Sequence, residues 1–162
     1  MKERLRVIEP VVKRARVEIP IAEAFRLFTR GMGEWWPLGV HSIAADTHEG
    51  RVQAEDVVFE DREGGRIYER MSDGSEGTWG YVITWDPPTR VVFSWKPNLT
   101  EGPSTEVEVR FNSFARGTEV ELEHRGWEHY REEGVEHREG YDTGWARILD
   151  LFKAAGERRL YA

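Results

Sequence analysis

The chain has 162 residues, enough for one domain with a sizeable core, and 23 Lys and Arg against 30 Asp and Glu give it a formal net charge of −7. That acidity, with both signs interspersed and no basic stripe, argues against nucleic acid and anionic membrane surfaces as partners, since both select clustered cations. With no cysteine, disulfides, thiol nucleophiles and Cys-ligated zinc are excluded, and the unusual feature is seven Trp, five Tyr and seven Phe in a chain only 39% hydrophobic.

Residues 1–9 read as a polar lead-in without secretory character. No apolar run approaches the roughly 20 residues of a membrane span, so the cytoplasm is the expected compartment. Residues 11–19 then alternate. Val11, Ala15, Val17 and Ile19 fall on one face, and Val12, Arg14, Arg16 and Glu18 on the other, which predicts a half-buried first strand. Pro20 suits a helix start, and Ile21, Ala24, Phe25 and Phe28 follow at helical spacing. Gly31 and Gly33 punctuate this helix. A second short helix or turn is expected to carry Glu34-Trp35-Trp36 and to stop at Pro37. Residues 38–50 read as a loop with His41, Ser42 and His48.

From residue 51 the period is two. Strands are predicted at 51–60, 66–72, 77–86, 90–97, 105–112 and 118–125, broken at Gly64-Gly65, Asp73-Gly74, Asp86-Pro87-Pro88 and Arg116-Gly117. Such a series makes an antiparallel meander. Residues 127–139 read as irregular or a short helix. Residues 140–160 form a long amphipathic helix with Tyr141, Trp145, Ile148, Phe152 and Ala155 on one face. The fold class is therefore α+β, with residues 10–162 as one domain. Seven strands must curl, and the long helix must bury its stripe against the concave face. The gap left between them is the expected pocket.

No Gly-rich phosphate loop, His-Glu-x-x-His or Gly-x-Ser-x-Gly motif is present, and Asp73-Gly74-Ser75-Glu76-Gly77 reads as a hairpin turn. The histidines at 41, 48, 124, 129 and 137 are scattered, so no metal and no cofactor are expected. Asn98-Leu99-Thr100 matches a glycosylation acceptor, a match with little meaning without a secretory signal.

Alternation places Val91, Phe93 and Trp95 on one inward face, Val107, Val109 and Phe111 on a second, and Thr118, Val120, Leu122 and His124 on a third. His124 ends an apolar face, as a hydrogen-bonded structural group or as a ligand contact. Glu69 shares a face with Ile67 and Met71, so it is either a buried, partnered carboxyl or a strand-edge group. Trp79 and Tyr81 share a face. Gly80, pointing the other way, leaves room for a helix or ligand to approach. The expected ligand-binding residues are Trp36, Trp79, Tyr81, Trp95 and Trp145 as walls, with Glu69 and His124 as polar anchors.

Several motifs then stand in a familiar order: Ala24-Phe25-Arg26-Leu27-Phe28-Thr29, Glu34-Trp35-Trp36-Pro37, Gly64-Gly65-Arg66-Ile67-Tyr68-Glu69-Arg70, Trp79-Gly80-Tyr81-Val82, Trp85-Asp86-Pro87-Pro88, Phe93-Ser94-Trp95, His124-Arg125-Gly126-Trp127 and Gly144-Trp145-Ala146-Arg147-Ile148-Leu149. Together, over about residues 10–155, the chain resembles the activator of Hsp90 ATPase homologue 1-like group of the START/Bet v 1-like (SRPBCC) superfamily. The resemblance implies a helix-grip fold: a curved seven-stranded antiparallel sheet around a long C-terminal helix, two short helices after the first strand, and a deep hydrophobic cavity. The leading expectation is binding of a small hydrophobic molecule, aromatic or lipid-like, in that cavity, with homodimerisation open. One alternative is a cyclase, aromatase or hydrolase using Glu69 or His124 as general acid or base. Another is an Hsp90-type co-chaperone or protein-binding module.

Overall fold

The computed structural model describes residues 7–47, 50–96 and 103–160. Asn98-Leu99-Thr100 and His48 lie outside them. The alternating segments form β1 (Val11–Val17), β2 (Ala54–Phe59), β3 (Arg66–Met71), β4 (Glu76–Asp86), β5 (Arg90–Trp95), β6 (Thr105–Phe114) and β7 (Gly117–Arg125). They make one curled sheet in the order β1-β7-β6-β5-β4-β3-β2, every pair antiparallel. β2 to β7 follow one another as a meander, whereas β1 pairs with β7, with Val11 opposite His124. β1 and β2 thus occupy opposite edges, and the chain between them must cross the open end of the sheet.

That crossing holds α1 (Ile21–Phe28), which buries Ala24, Phe25, Leu27 and Phe28. The second helix is not at Trp35-Trp36. A 3-10 turn covers Met32–Glu34, and α2 is Ile43–Thr47, inside the segment expected to be a loop. Local periodicity could not reveal α2, because one of its caps comes from another strand: Glu69 of β3 accepts from the N–H groups of Ile43 and Ala44. Ser42 adds a local cap, its Oγ accepting from Ala45 N–H.

The long helix, α3, runs Gly134–Leu160 and begins six residues earlier than its apolar stripe suggests, after a 3-10 segment at Trp127–Glu133. Its first turns are largely exposed and carry no apolar period to read. Arg138 ties them down by donating to the carbonyls of Glu9 and Pro10. Beyond them Trp145, Ile148, Leu149, Phe152 and Ala155 are buried against the concave face. The three inward strand faces are buried as expected. The convex face is charged: Glu108 accepts from Arg90, Arg110 and Arg125 across three strands. Burial works against its ionisation, but these guanidinium hydrogen bonds prevail and pull the Glu108 carboxyl down to about 2.

The fold is therefore a helix-grip: a curled seven-stranded antiparallel sheet holding a long C-terminal helix. Trp145 is 1% exposed at the centre of the grip. Trp145→Ala should lower the unfolding free energy by about 3–5 kcal/mol in a urea titration.

Candidate functional site

Under the N-terminal half of α3 the grip does not close. A cavity of about 560 Å³ remains between α3, the concave sheet and the segment leading into α2. Its deep walls are the indoles of Trp36, Trp79, Trp95 and Trp145. Trp36 lies 5.0 Å from Trp79 and 5.8 Å from both Trp95 and Trp145, ring centre to ring centre. Trp95 lies 5.6 Å from Trp79 and from Trp145, so the four rings form one continuous aromatic surface.

Each indole is turned by its N–H. Trp36 Nε1 donates to the His41 carbonyl at 2.7 Å, Trp79 Nε1 to Glu69 Oε1 at 2.7 Å, Trp95 Nε1 to the Tyr141 hydroxyl at 3.1 Å and Trp145 Nε1 to His124 Nδ1 at 2.9 Å. No wall indole keeps its N–H for a guest. The walls offer carbon and π faces only.

Glu69 is fully buried, with three donors on its carboxylate: Trp79 Nε1, Ile43 N–H at 2.6 Å and Ala44 N–H at 3.1 Å. His124 is also fully buried. Because its Nδ1 accepts from Trp145, the ring proton belongs on Nε2, which donates to Thr105 Oγ1 at 2.7 Å. Thr105 in turn donates to the Trp95 carbonyl at 3.2 Å. Desolvation lowers the His124 pKa from 6.5 to about 3, consistent with a neutral ring in this chain of bonds. Glu69 and His124 are not hydrogen-bonded to each other and do not line the cavity; they stand directly behind Trp79 and Trp145.

Tyr81 is elsewhere. β4 carries a bulge: Ile67 pairs with Gly80 while Tyr68 pairs with Thr78, leaving Trp79 as the extra residue. The bulge breaks the alternation after Trp79, so Tyr81 faces out and is 51% exposed. Gly80 is needed for a neighbouring strand rather than for a helix or ligand, since a Cβ there would lie 1.8 Å from the Ser94 carbonyl oxygen of β5.

Three further features line the cavity. Tyr141 accepts from Trp95, and its own O–H has no acceptor among the described residues, which makes it a donor available inside the cavity. Its pKa is pushed up to about 12, chiefly by burial and with a contribution from the nearby Asp46 charge, against the Trp95 hydrogen bond. Gly140 and Gly144 face the cavity from α3, where a Cβ would meet nothing within 4 Å. The mouth carries Asp46, Glu133 and Glu136, with His41 and His137 beside them. One signal was readable: Gly140, Tyr141, Gly144 and Trp145 share a helix face at spacings of three and four. The mouth was not, since it joins α2 to α3 across the fold. Among the described residues, no group of three His, Cys, Asp or Glu side chains is placed to hold a metal, and no helix is long and apolar enough to cross a membrane.

The state of His124 sets a pH dependence. The unfolded chain binds the imidazole proton below about pH 6.5, while the folded chain resists it down to about pH 3, so the unfolded state gains as pH falls through that window. Stability should be flat in this respect above pH 6.5 and then fall by at most about 1.4 kcal/mol per pH unit. The Glu108 carboxyl, with an ordinary value of 4.5, adds its own loss only below that pH. Urea midpoints between pH 4.5 and 8 would measure the slope, and the His124 ring resonances should hold the neutral Nε2–H form throughout.

Residues 18–157 match the family described as Activator of Hsp90 ATPase homolog 1-like protein. Comparison with curated proteins found no match. Among solved structures, protein MLL2253 from Mesorhizobium loti superposes with a TM-score of 0.67 at 16% identity, covering 92% of this chain and 97% of that one. The Aha1 dimer from Colwellia psychrerythraea gives 0.63 at 18% identity over 91% and 96%. CalU16 from Micromonospora echinospora gives 0.58 at 22% identity over 88% and 70%. These likenesses concern the fold. The match over 18–157 covers most of the chain, which therefore belongs to the activator of Hsp90 ATPase homolog 1-like family.

Proposed function

We propose that this protein binds a small hydrophobic molecule, aromatic or lipid-like, in the cavity between the sheet and α3. The observation that carries this reading is the wall of four indoles whose N–H groups are all engaged away from the guest. A cavity of about 560 Å³ with largely aromatic walls and the hydroxyls of Tyr141 and Ser42 in its lining has the size and design of a small-molecule site. Trp36, Trp79, Trp95 and Trp145 bury the body of the guest, and Tyr141 donates to a polar group on it. Glu69 and His124 are positioning residues that hold Trp79 and Trp145. Their engagement with structural partners favours binding over acid–base catalysis, since neither faces the cavity. Residues 10–162 would act as one binding unit in the cytoplasm. A homodimer is part of the proposal, as in the Colwellia structure, and sedimentation of the purified protein tests it.

Gly144 gives a test in which binding and stability move apart. A leucine side chain there would occupy the cavity, while removing glycine from a helix interior favours folding by up to about 1 kcal/mol. Titration with N-phenyl-1-naphthylamine, followed by Trp fluorescence, should saturate for the wild type. Gly144→Leu should weaken binding at least tenfold without lowering the thermal midpoint. Glu69→Gln should instead lose about 2–3 kcal/mol of stability, because its amide would set a donor against the N–H groups now satisfied. If neither this probe nor a panel of fatty ligands binds saturably, or if Gly144→Leu binds as the wild type does, the reading is wrong.

A further inference from the structure

The sign of the charge around the cavity narrows the class of guest. This step rests on the binding reading above. Its mouth is lined by Asp46, Glu133 and Glu136, all exposed, beside His41 and His137, and no Lys or Arg lines the cavity among the described residues. No Lys or Arg forms an ion pair with these three carboxylates among the described residues; Glu133 meets only His137, at 3.6 Å. Two cations near the start of α3 are engaged elsewhere: Arg138 donates to backbone carbonyls of the lead-in, and Lys13 of β1 pairs with Asp142.

The floor has the same preference. Indole faces carry negative quadrupole potential and attract cations, tryptophan most strongly. Because every wall N–H points to a protein acceptor, the positive edge of each ring is masked and the carbon surface is what remains to be met. The field of Asp46 also reaches inward, acting on the Tyr141 hydroxyl at the cavity wall. An anionic head would meet three carboxylates and, among the described residues, no Lys or Arg. A neutral guest would gain only from burial. A cation with an apolar body gains from the floor and the mouth together.

We infer that the guest is an organic cation, an amine or quaternary ammonium carried on an aromatic or aliphatic body, taken up through the acidic mouth onto the indole floor of Trp36, Trp79, Trp95 and Trp145.

Three probes of one shape test this: 2-naphthylmethyl-trimethylammonium, its neutral carbon isostere 2-neopentylnaphthalene, and the anion 2-naphthylacetate. Binding is measured at pH 8 in 20 mM salt by calorimetry or saturation-transfer NMR. An apolar cavity without charge preference would favour the neutral isostere, since the ammonium gives up hydration on burial. The inference expects the reverse: the ammonium binds at least tenfold tighter than the isostere, and the anion weakest of the three. The advantage should shrink in 0.5 M salt, because the mouth is solvent-exposed. The triple change Asp46→Asn, Glu133→Gln, Glu136→Gln should narrow the gap between ammonium and isostere to less than threefold. Neutral binding equal to or tighter than the ammonium overturns the cation assignment and leaves the binding reading intact. Failure of all three probes to bind saturably overturns both.

Discussion

A buried indole presents a large apolar surface with one polar corner, and the corner cannot be left unpaired. An unsatisfied buried N–H costs about 1–3 kcal/mol, a large fraction of what holds a domain of this size together. Six of the seven tryptophans meet this demand inside the protein. Trp35 and Trp127 reach the carbonyls of Leu27 and His124, and the four cavity tryptophans reach His41, Glu69, Tyr141 and His124. The polar residues on otherwise apolar strand faces are the other half of these bonds. Glu69 sits between Ile67 and Met71 because Trp79 needs its oxygen. His124 ends the Val120–Leu122 row because two indoles depend on it, one through its ring and one through its carbonyl.

Most of these bonds also join two elements. Helix α2 has five residues, too few to persist alone, and its first N–H groups close on a carboxylate from β3. That same carboxylate fixes Trp79 at the β4 bulge. His124 links β7 to α3 through Trp145, and to β6 through Thr105, which continues to the end of β5. The cavity walls are thus held from behind by separate polar groups centred on Glu69 and His124. Tyr141, which accepts from Trp95 but keeps its own proton, lines the cavity with hydrogen-bonding capacity left over.

Where one face of an element contacts one core, the amino-acid order reveals it. The three inward strand faces, with His124 ending one of them, and the α3 stripe follow from periods of two and 3.6, while for Glu69 the period left burial and a strand-edge position both open. Reading fails where a second element decides the outcome. Tyr81 was expected on the Trp79 face and lies on the other, because one extra residue in β4 shifts the register and no turn residue marks it. α2 was expected to be loop because its decisive cap is 26 residues away. The start of α3 was missed because its first turns bury nothing that repeats. Of the cavity, the tryptophan walls were visible as inward residues, while the mouth required knowing that α2 and α3 approach each other.

Net charge says little until it is located. The chain carries seven more acidic than basic residues, and on composition alone that excess only weighs against polyanionic partners. In the folded protein the basic residues are unevenly used. Arg90, Arg110 and Arg125 gather around Glu108 on the convex sheet, where Arg14 and Glu121 extend the same network. Charges in this network balance one another locally around the buried Glu108, with the arginines half-buried or exposed at its rim. At the mouth of the cavity Asp46, Glu133 and Glu136 have no Lys or Arg partner among the described residues, and apolar walls lie beneath them. A cleft with one sign of charge over apolar walls concentrates its field where a guest would sit. The acidity at this mouth therefore acts beside a space large enough to receive another molecule.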